Sequence, residues 1–100
     1  MASVADMVEP ELLRERAGEY LQRAGEVLRA AGGVHLMDFE PMRVTAQVED
    51  GGVRQSTELA ATSDGLTTSC ECPGGAGGDW CPHTVATAIE TWHNAPNQRG

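Results

Sequence analysis

The chain has 100 residues, which is enough for one compact domain and too few for two. Its formal net charge is -8, with 15 acidic residues against 7 basic ones, and all the basic residues are Arg. This acidic balance disfavours non-specific attraction to nucleic acids and anionic membranes, because both are polyanions. Aromatic residues make up only 4% of the chain, so we expect a thin core that needs a further source of stability, such as a bound metal.

The sequence carries no visible targeting or membrane-spanning segment. The first residues lack the positive and apolar parts of a secretory signal, and no apolar run is long enough to span a bilayer. We therefore expect a cytoplasmic protein without a membrane partner. Thiols stay reduced in that compartment, and three cysteines cannot all pair within one chain. The cysteines are thus expected to bind a metal.

The N-terminal third predicts one amphipathic helix after a disordered segment at residues 1–9. Pro10 is typical of a first helical position, and the apolar periodicity predicts a helix over roughly 10–31 that Gly32-Gly33 ends. The expected buried stripe, with Tyr20 and Val27 flanking it, consists of Leu13, Ala17, Leu21, Ala24 and Leu28.

The middle of the chain predicts an antiparallel β-meander of three to four strands. Apolar and polar residues alternate from Met42 to Glu49, as in a strand with one buried face. Asp50-Gly51-Gly52 predicts a tight hairpin turn, and Ser63-Asp64-Gly65 predicts a second turn. The expected strands are residues 34–40, 42–49, 53–60 and 66–70.

A glycine-rich loop at residues 74–78 precedes a predicted C-terminal helix. Pro82 suits its first turn, and Val85, Ile89 and Trp92 share one apolar face. We expect residues 94–100 to form a disordered tail. The fold class is therefore α+β, with a helix, a meander, a zinc knuckle and a final helix in one domain over residues 10–93.

Four residues near the C-terminus have the types and spacing of a zinc site. Cys70 and Cys72 precede the eight-residue insert 73–80, and Cys81 and His83 follow it. Three sulfurs and one imidazole form a complete tetrahedral ligand set for structural zinc. Alternate residues at a strand end project to the same side, so the first two sulfurs can reach one ion. We predict one structural Zn²⁺ per chain bound by these four side chains.

Other candidate residues have weaker signals. His35 and His93 are spare histidines, and a helix of three to four turns carries His93 away from the cysteines. Trp92 fits the buried face of the last helix. Trp80 lies beside Cys81, where it is expected to cover the zinc sulfurs; exposure for contact with a partner is the alternative.

The pattern C-x-C, a variable insert and C-x-H resembles the SWIM zinc finger. The Cys72-Pro73 pair, the glycine-rich insert and the run 81–86 leading into a helix also fit that family. The resemblance covers roughly residues 10–93, with the finger itself at about 66–93, and the chain is similar to a small stand-alone bacterial member. It implies that the family's zinc ligands are Cys70, Cys72, Cys81 and His83.

The resemblance implies a DNA-binding or protein-interaction role, because SWIM domains accompany helicase-like ATPases, transposases and ubiquitin ligases. No catalytic partner domain is present in this sequence, so an accessory subunit of a helicase-like ATPase or another nucleoprotein machine is one expectation. Nucleic-acid binding is the alternative, but the chain has no Lys or Arg between Arg54 and Arg99. Three thiolates with Zn²⁺ leave a net charge of about -1, so the metal adds no cationic surface.

The sequence predicts no enzyme activity. Four protein ligands leave zinc without an open position for water or substrate. No phosphate-binding loop or nucleophile motif is recognisable. We therefore favour a protein-interaction or adaptor module with an unidentified protein partner.

Overall fold

The computed structural model describes residues 3–72 and 79–95, which form four helices and four strands. The helices are α1 Val4–Met7, α2 Pro10–Ala17, α3 Glu19–Ala30 and α4 Pro82–Asn94. The strands are β1 Val34–Glu40, β2 Arg43–Asp50, β3 Val53–Thr62 and β4 Gly65–Cys70. The predicted α+β class, with a meander between N-terminal helices and a C-terminal helix, is confirmed.

The four strands form one antiparallel sheet in the order β1-β2-β3-β4. Val44, Ala46 and Val48 of β2 are buried, which confirms the predicted alternation. The β2–β3 hairpin keeps an unbroken register from Arg43↔Ala60 to Asp50↔Val53. Its turn contains Gly51 and Gly52 at φ of 60° and 83°, which matches a type I′ turn and explains why two glycines are needed there.

Helix α4 lies between the sheet and α3, so it forms the centre of the fold. Val85, Ala88 and Ile89 of α4 belong to the main core cluster. Gly25 of α3 permits close approach, since a Cβ there would lie 2.5 Å from the Val85 side chain and 2.9 Å from the Ala86 nitrogen. The two helices are also joined by an ion pair between Arg29 and Glu90, at 3.0 Å.

Residues 3–9 differ from the predicted disorder of residues 1–9, of which residues 1 and 2 lie outside the described residues. Residues 4–7 form α1, which Ser3 caps, and the Val4 nitrogen donates a hydrogen bond to the Pro41 carbonyl at 2.7 Å. Val4 and Val8 are fully buried in the main core. The prediction was wrong because two isolated valines give no periodic signal, although their burial stabilises the segment.

The predicted single helix over residues 10–31 is two helices. Gly18 separates α2 from α3 with a φ of 93°, a conformation that favours glycine and interrupts the helical backbone. The predicted stripe still faces the core on both sides of this break, since Leu13 is buried and Ala17 and Leu21 pack against the main core cluster. Tyr20 and Val27 are 83% and 69% exposed, so their assignment beside the buried stripe was wrong.

The C-terminal helix begins at Pro82 as predicted and continues to Asn94. Ala95 is buried, so the predicted disordered tail does not include residues 94 and 95. The predicted glycine loop at 74–78 and tail at 96–100 lie outside the described residues. Among the residues that the structure describes, no helix is long and apolar enough to cross a membrane.

Candidate metal centre

The end of β4 supplies two cysteines to a buried cluster. Cys70 pairs with Thr57 of β3 in the last register position of the sheet. The backbone pairing continues one residue further, because Glu71 N donates to the Ser56 carbonyl at 3.2 Å. The Glu71 carboxylate also accepts from Ser56 N at 2.9 Å. These bonds hold the Cys70-Glu71-Cys72 segment against β3, with both sulfurs buried.

The start of α4 supplies the other two ligands. Cys81 is the N-cap of the helix, and its nitrogen donates to Thr84 Oγ1 at 3.0 Å. The Thr84 hydroxyl lies 3.6 Å from the Cys81 sulfur. His83 lies in the first helical turn, so its ring reaches the same space as the Cys81 sulfur.

The ligand atoms of Cys70, Cys72, Cys81 and His83 all lie within 4.8 Å of one another, and all four residues are buried. His83 Nδ1 lies 3.7 Å from the Cys70 sulfur and 3.8 Å from the Cys81 sulfur. A tetrahedral zinc with bonds of about 2.3 Å to sulfur and 2.0 Å to nitrogen places these atoms about 3.5 Å apart. The cluster therefore fits one zinc ion, and the structure brings together all four predicted ligands.

The Cys70 thiol is held in an environment that opposes its ionisation. Burial is the main cause that raises the pKa of Cys70 to about 12; a backbone hydrogen bond from Cys72 lowers it, whereas the Cys72 side chain and Cys81 raise it. A divalent cation reverses this balance, because it binds the deprotonated sulfurs directly. The site is therefore suited to a metal that displaces the thiol protons on binding.

A fifth side chain, Asp50, contacts the cluster and was not identified from the sequence. Asp50 Oδ2 lies 2.9 Å from His83 Nε2, on the opposite side of the ring from the sulfurs. Asp50 ends β2 and precedes the hairpin turn. Its 33-residue separation from His83 leaves no local spacing signal, and only the predicted hairpin indicated that it occupies a fixed position.

The remaining candidates lie outside the cluster. His35 faces Glu49 at 4.0 Å, and His93 is exposed near the end of α4. Trp80 and Trp92 are partly buried and pack against the main core. The core position of Trp92 agrees with its predicted place on the apolar face of the helix. A partner contact by Trp80 stays a prediction.

Comparisons with protein-family models, curated proteins and solved structures find no match. The resemblance to SWIM zinc fingers thus depends on the ligand pattern and its order along the chain. The described residues establish a buried Cys₃His group that can hold one metal ion, for which zinc is the best fit.

Proposed function

We propose that the chain is a small zinc-stabilised protein-interaction module. One observation supports a bound metal ion: three cysteine sulfurs and one imidazole nitrogen are buried within 4.8 Å of one another. The ligands come from the end of β4 and from the start of α4, two consecutive elements that the insert 73–80 connects. A zinc ion at this position links the last strand of the sheet to the central helix and stabilises the fold.

The proposed zinc is structural and the protein is not an enzyme. Four ligands from the protein saturate a tetrahedral ion and leave no position for a reacting water. The three cysteines and His83 are each at most 8% exposed, which separates the centre from solvent. Both features support a stabilising ion over a catalytic one.

Membership of the SWIM zinc-finger family is part of the proposal. The ligand pair on a strand end, the intervening insert and the second pair on a helix start all follow the order that the resemblance implies. An accessory subunit of a helicase-like ATPase or another nucleoprotein machine is the setting that fits this family.

The proposed partner is a protein segment that carries basic side chains. On α3, Tyr20 and Val27 are exposed and lie two helical turns apart, on the same face. Exposed Glu19 and Glu26 stand next to them in the sequence. Large exposed apolar side chains beside carboxylates suit an interface that combines apolar contact with opposite charge.

The charge distribution supports a protein partner over a nucleic acid. Four of the arginines already contact polar or acidic side chains, which reduces their ability to neutralise phosphates. These contacts are Arg23 with Glu19 at 3.8 Å, Arg29 with Glu90 at 3.0 Å, Arg43 with Glu58, and Arg54 with Gln47 at 3.4 Å.

The nucleic-acid alternative is tested by titrating labelled single- and double-stranded DNA with zinc-loaded protein at about 50 mM salt and following anisotropy. We expect no binding at micromolar protein. Binding that weakens steeply as salt rises would contradict the interaction role and would indicate the arginines as the contact surface.

The protein-partner role is tested by placing a photo-crosslinking amino acid at Tyr20 in the source cells. We expect a discrete adduct with one protein at this position. Ser63, in the exposed turn between β3 and β4, is the control position. Val27→Arg should abolish the Tyr20 adduct, because it replaces an apolar contact with a positive charge that repels a basic partner. Equal adducts at Tyr20 and Ser63 would count against the α3 surface.

A further inference from the structure

We propose that Asp50 is a positioning residue of the zinc centre, which holds the His83 ring so that Nδ1 is the metal-binding nitrogen. This inference depends on the zinc site proposed above. It adds a fifth participant from the β2–β3 hairpin, a part of the fold that contributes no ligand.

The geometry around the His83 ring gives its two nitrogens different roles. Nε2 lies 2.9 Å from Asp50 Oδ2, whereas Nδ1 lies 3.7 and 3.8 Å from the Cys70 and Cys81 sulfurs. A ring nitrogen that binds zinc carries no proton, so with zinc on Nδ1 the ring proton resides on Nε2 and donates to Asp50 Oδ2. The lone pair of Nδ1 then points toward the sulfurs, where a zinc ion binds.

The His83 ring is buried, so its hydrogen bond to Asp50 restricts the orientation of the ring. The His83 side chain is only 10% exposed, whereas the Asp50 side chain is 50% exposed, so a carboxylate at the surface fixes a buried ring. A carboxylate that accepts from a metal-binding histidine fixes the tautomer and the ring orientation, and it raises the basicity of the ligand. Removing such a partner costs metal affinity without removing a ligand.

The residues before and after Asp50 in the β2–β3 hairpin fix the position of its backbone. Gly51 and Gly52 form the tight turn that follows it. On the other side, Glu49 N donates to the Gly33 carbonyl at 2.8 Å. A Cβ on Gly33 would lie 2.7 Å from the Glu49 carbonyl oxygen, so the backbone there is closely packed. The carboxylate is thus presented from a fixed backbone.

Zinc affinity is the first test, measured by competition with a chromophoric chelator under reducing conditions. Asp50→Ala should weaken binding by about 10- to 100-fold. Asp50→Asn keeps an acceptor oxygen and the turn-forming residue type, so it should lose less. Asp64→Ala is the matched control, because Asp64 is an exposed turn aspartate between β3 and β4, outside the cluster.

The second readout is the state of the His83 ring, from long-range ¹H–¹⁵N spectra of the zinc-loaded protein. We expect the metal on Nδ1 and a slowly exchanging proton on Nε2, which exchanges faster in Asp50→Ala. Metal on Nε2, or equal zinc affinities for Asp50→Ala and Asp64→Ala, would overturn the role of Asp50 while leaving the zinc site intact. A wild-type protein that binds no zinc would overturn both.

Discussion

At the scale of single residues, the metal centre depends on side chains that have little access to water. The three cysteines and His83 are each at most 8% exposed. Without a metal, the sulfurs and the ring nitrogen face one another as buried groups with poor mutual hydrogen bonds, since the S···N distances are 3.7 and 3.8 Å. Binding of the proposed zinc is therefore expected to contribute directly to folding stability.

Replacing one ligand tests this dependence. Cys81→Ala or His83→Ala should abolish stoichiometric zinc binding and lower the free energy of unfolding by several kcal/mol, because the metal-binding energy is lost. Metal content and thermal unfolding are the measurements. His35→Ala is the control, since this side chain is half exposed and lies outside the cluster. A Cys81→Ala protein that keeps one zinc and the wild-type melting temperature would refute the assignment.

The ligands could be identified from the sequence, whereas Asp50 could not. The four ligands have distinctive residue types at short spacings, and zinc chemistry restricts which types can bind. Asp50 is one of 15 acidic residues, and only the path of the hairpin brings it to His83. Asp50 is not itself a ligand, so the spacing of the zinc ligands along the sequence does not indicate its position.

At the scale of elements, α3 and α4 pack closely because Gly25 has no side chain. Gly25→Ala raises helix propensity, yet the new Cβ would lie 2.5 Å from Val85 Cγ1 and 2.9 Å from the Ala86 backbone nitrogen. The helices must separate to accommodate it. We expect a net loss of about 1–3 kcal/mol in denaturant unfolding.

The control for Gly25→Ala is Glu26→Ala, at an exposed position one residue further along α3. Its effect should stay within about 0.5 kcal/mol, as for other surface substitutions. An increase in stability for Gly25→Ala would contradict the close approach of the two helices.

The docked N-terminus gives a second prediction at this scale. Val8 is fully buried in the main core, so Val8→Ala should lower the free energy of unfolding by about 1.5–3 kcal/mol. Val53→Ala is the matched control, because Val53 is 55% exposed at the start of β3. Equal, small effects of the two substitutions in denaturant titrations would mean that residues 3–8 do not pack as described.

The sequence predicted the strands better than the helices. Alternation over β2 and the glycines of its turn specify the hairpin and its register. In the helices, Gly18 changes the chain direction within a continuous periodic pattern. On α4, the buried polar residues Thr84, Thr87 and Thr91 extend the buried surface beyond the apolar face, because their hydroxyls bond to backbone carbonyls one turn earlier.

At the scale of the whole molecule, the central position of α4 means that the proposed zinc stabilises more of the fold than its immediate surroundings. The helix packs on the sheet and on α3, and Thr87 and Thr57 form a buried hydrogen bond of 2.7 Å between α4 and β3. Loss of zinc at the start of α4 therefore disturbs both layers.

Removing zinc with a chelator under reducing conditions should lower the melting temperature and loosen the entire domain. We expect faster amide hydrogen exchange in α3 and β2 as well as in α4. Added zinc should restore protection, which controls for irreversible damage. Faster exchange confined to the residues around the cysteines would contradict this coupling and indicate a locally held finger.

The most direct test of the zinc centre is X-ray absorption at the zinc edge on the loaded protein, together with its metal content. The structure leads us to expect one zinc per chain, with three sulfurs at about 2.3 Å and one nitrogen at about 2.0 Å. A first shell dominated by oxygen or nitrogen, or markedly less than one zinc per chain, would contradict the Cys₃His centre and the zinc-stabilised fold that depends on it.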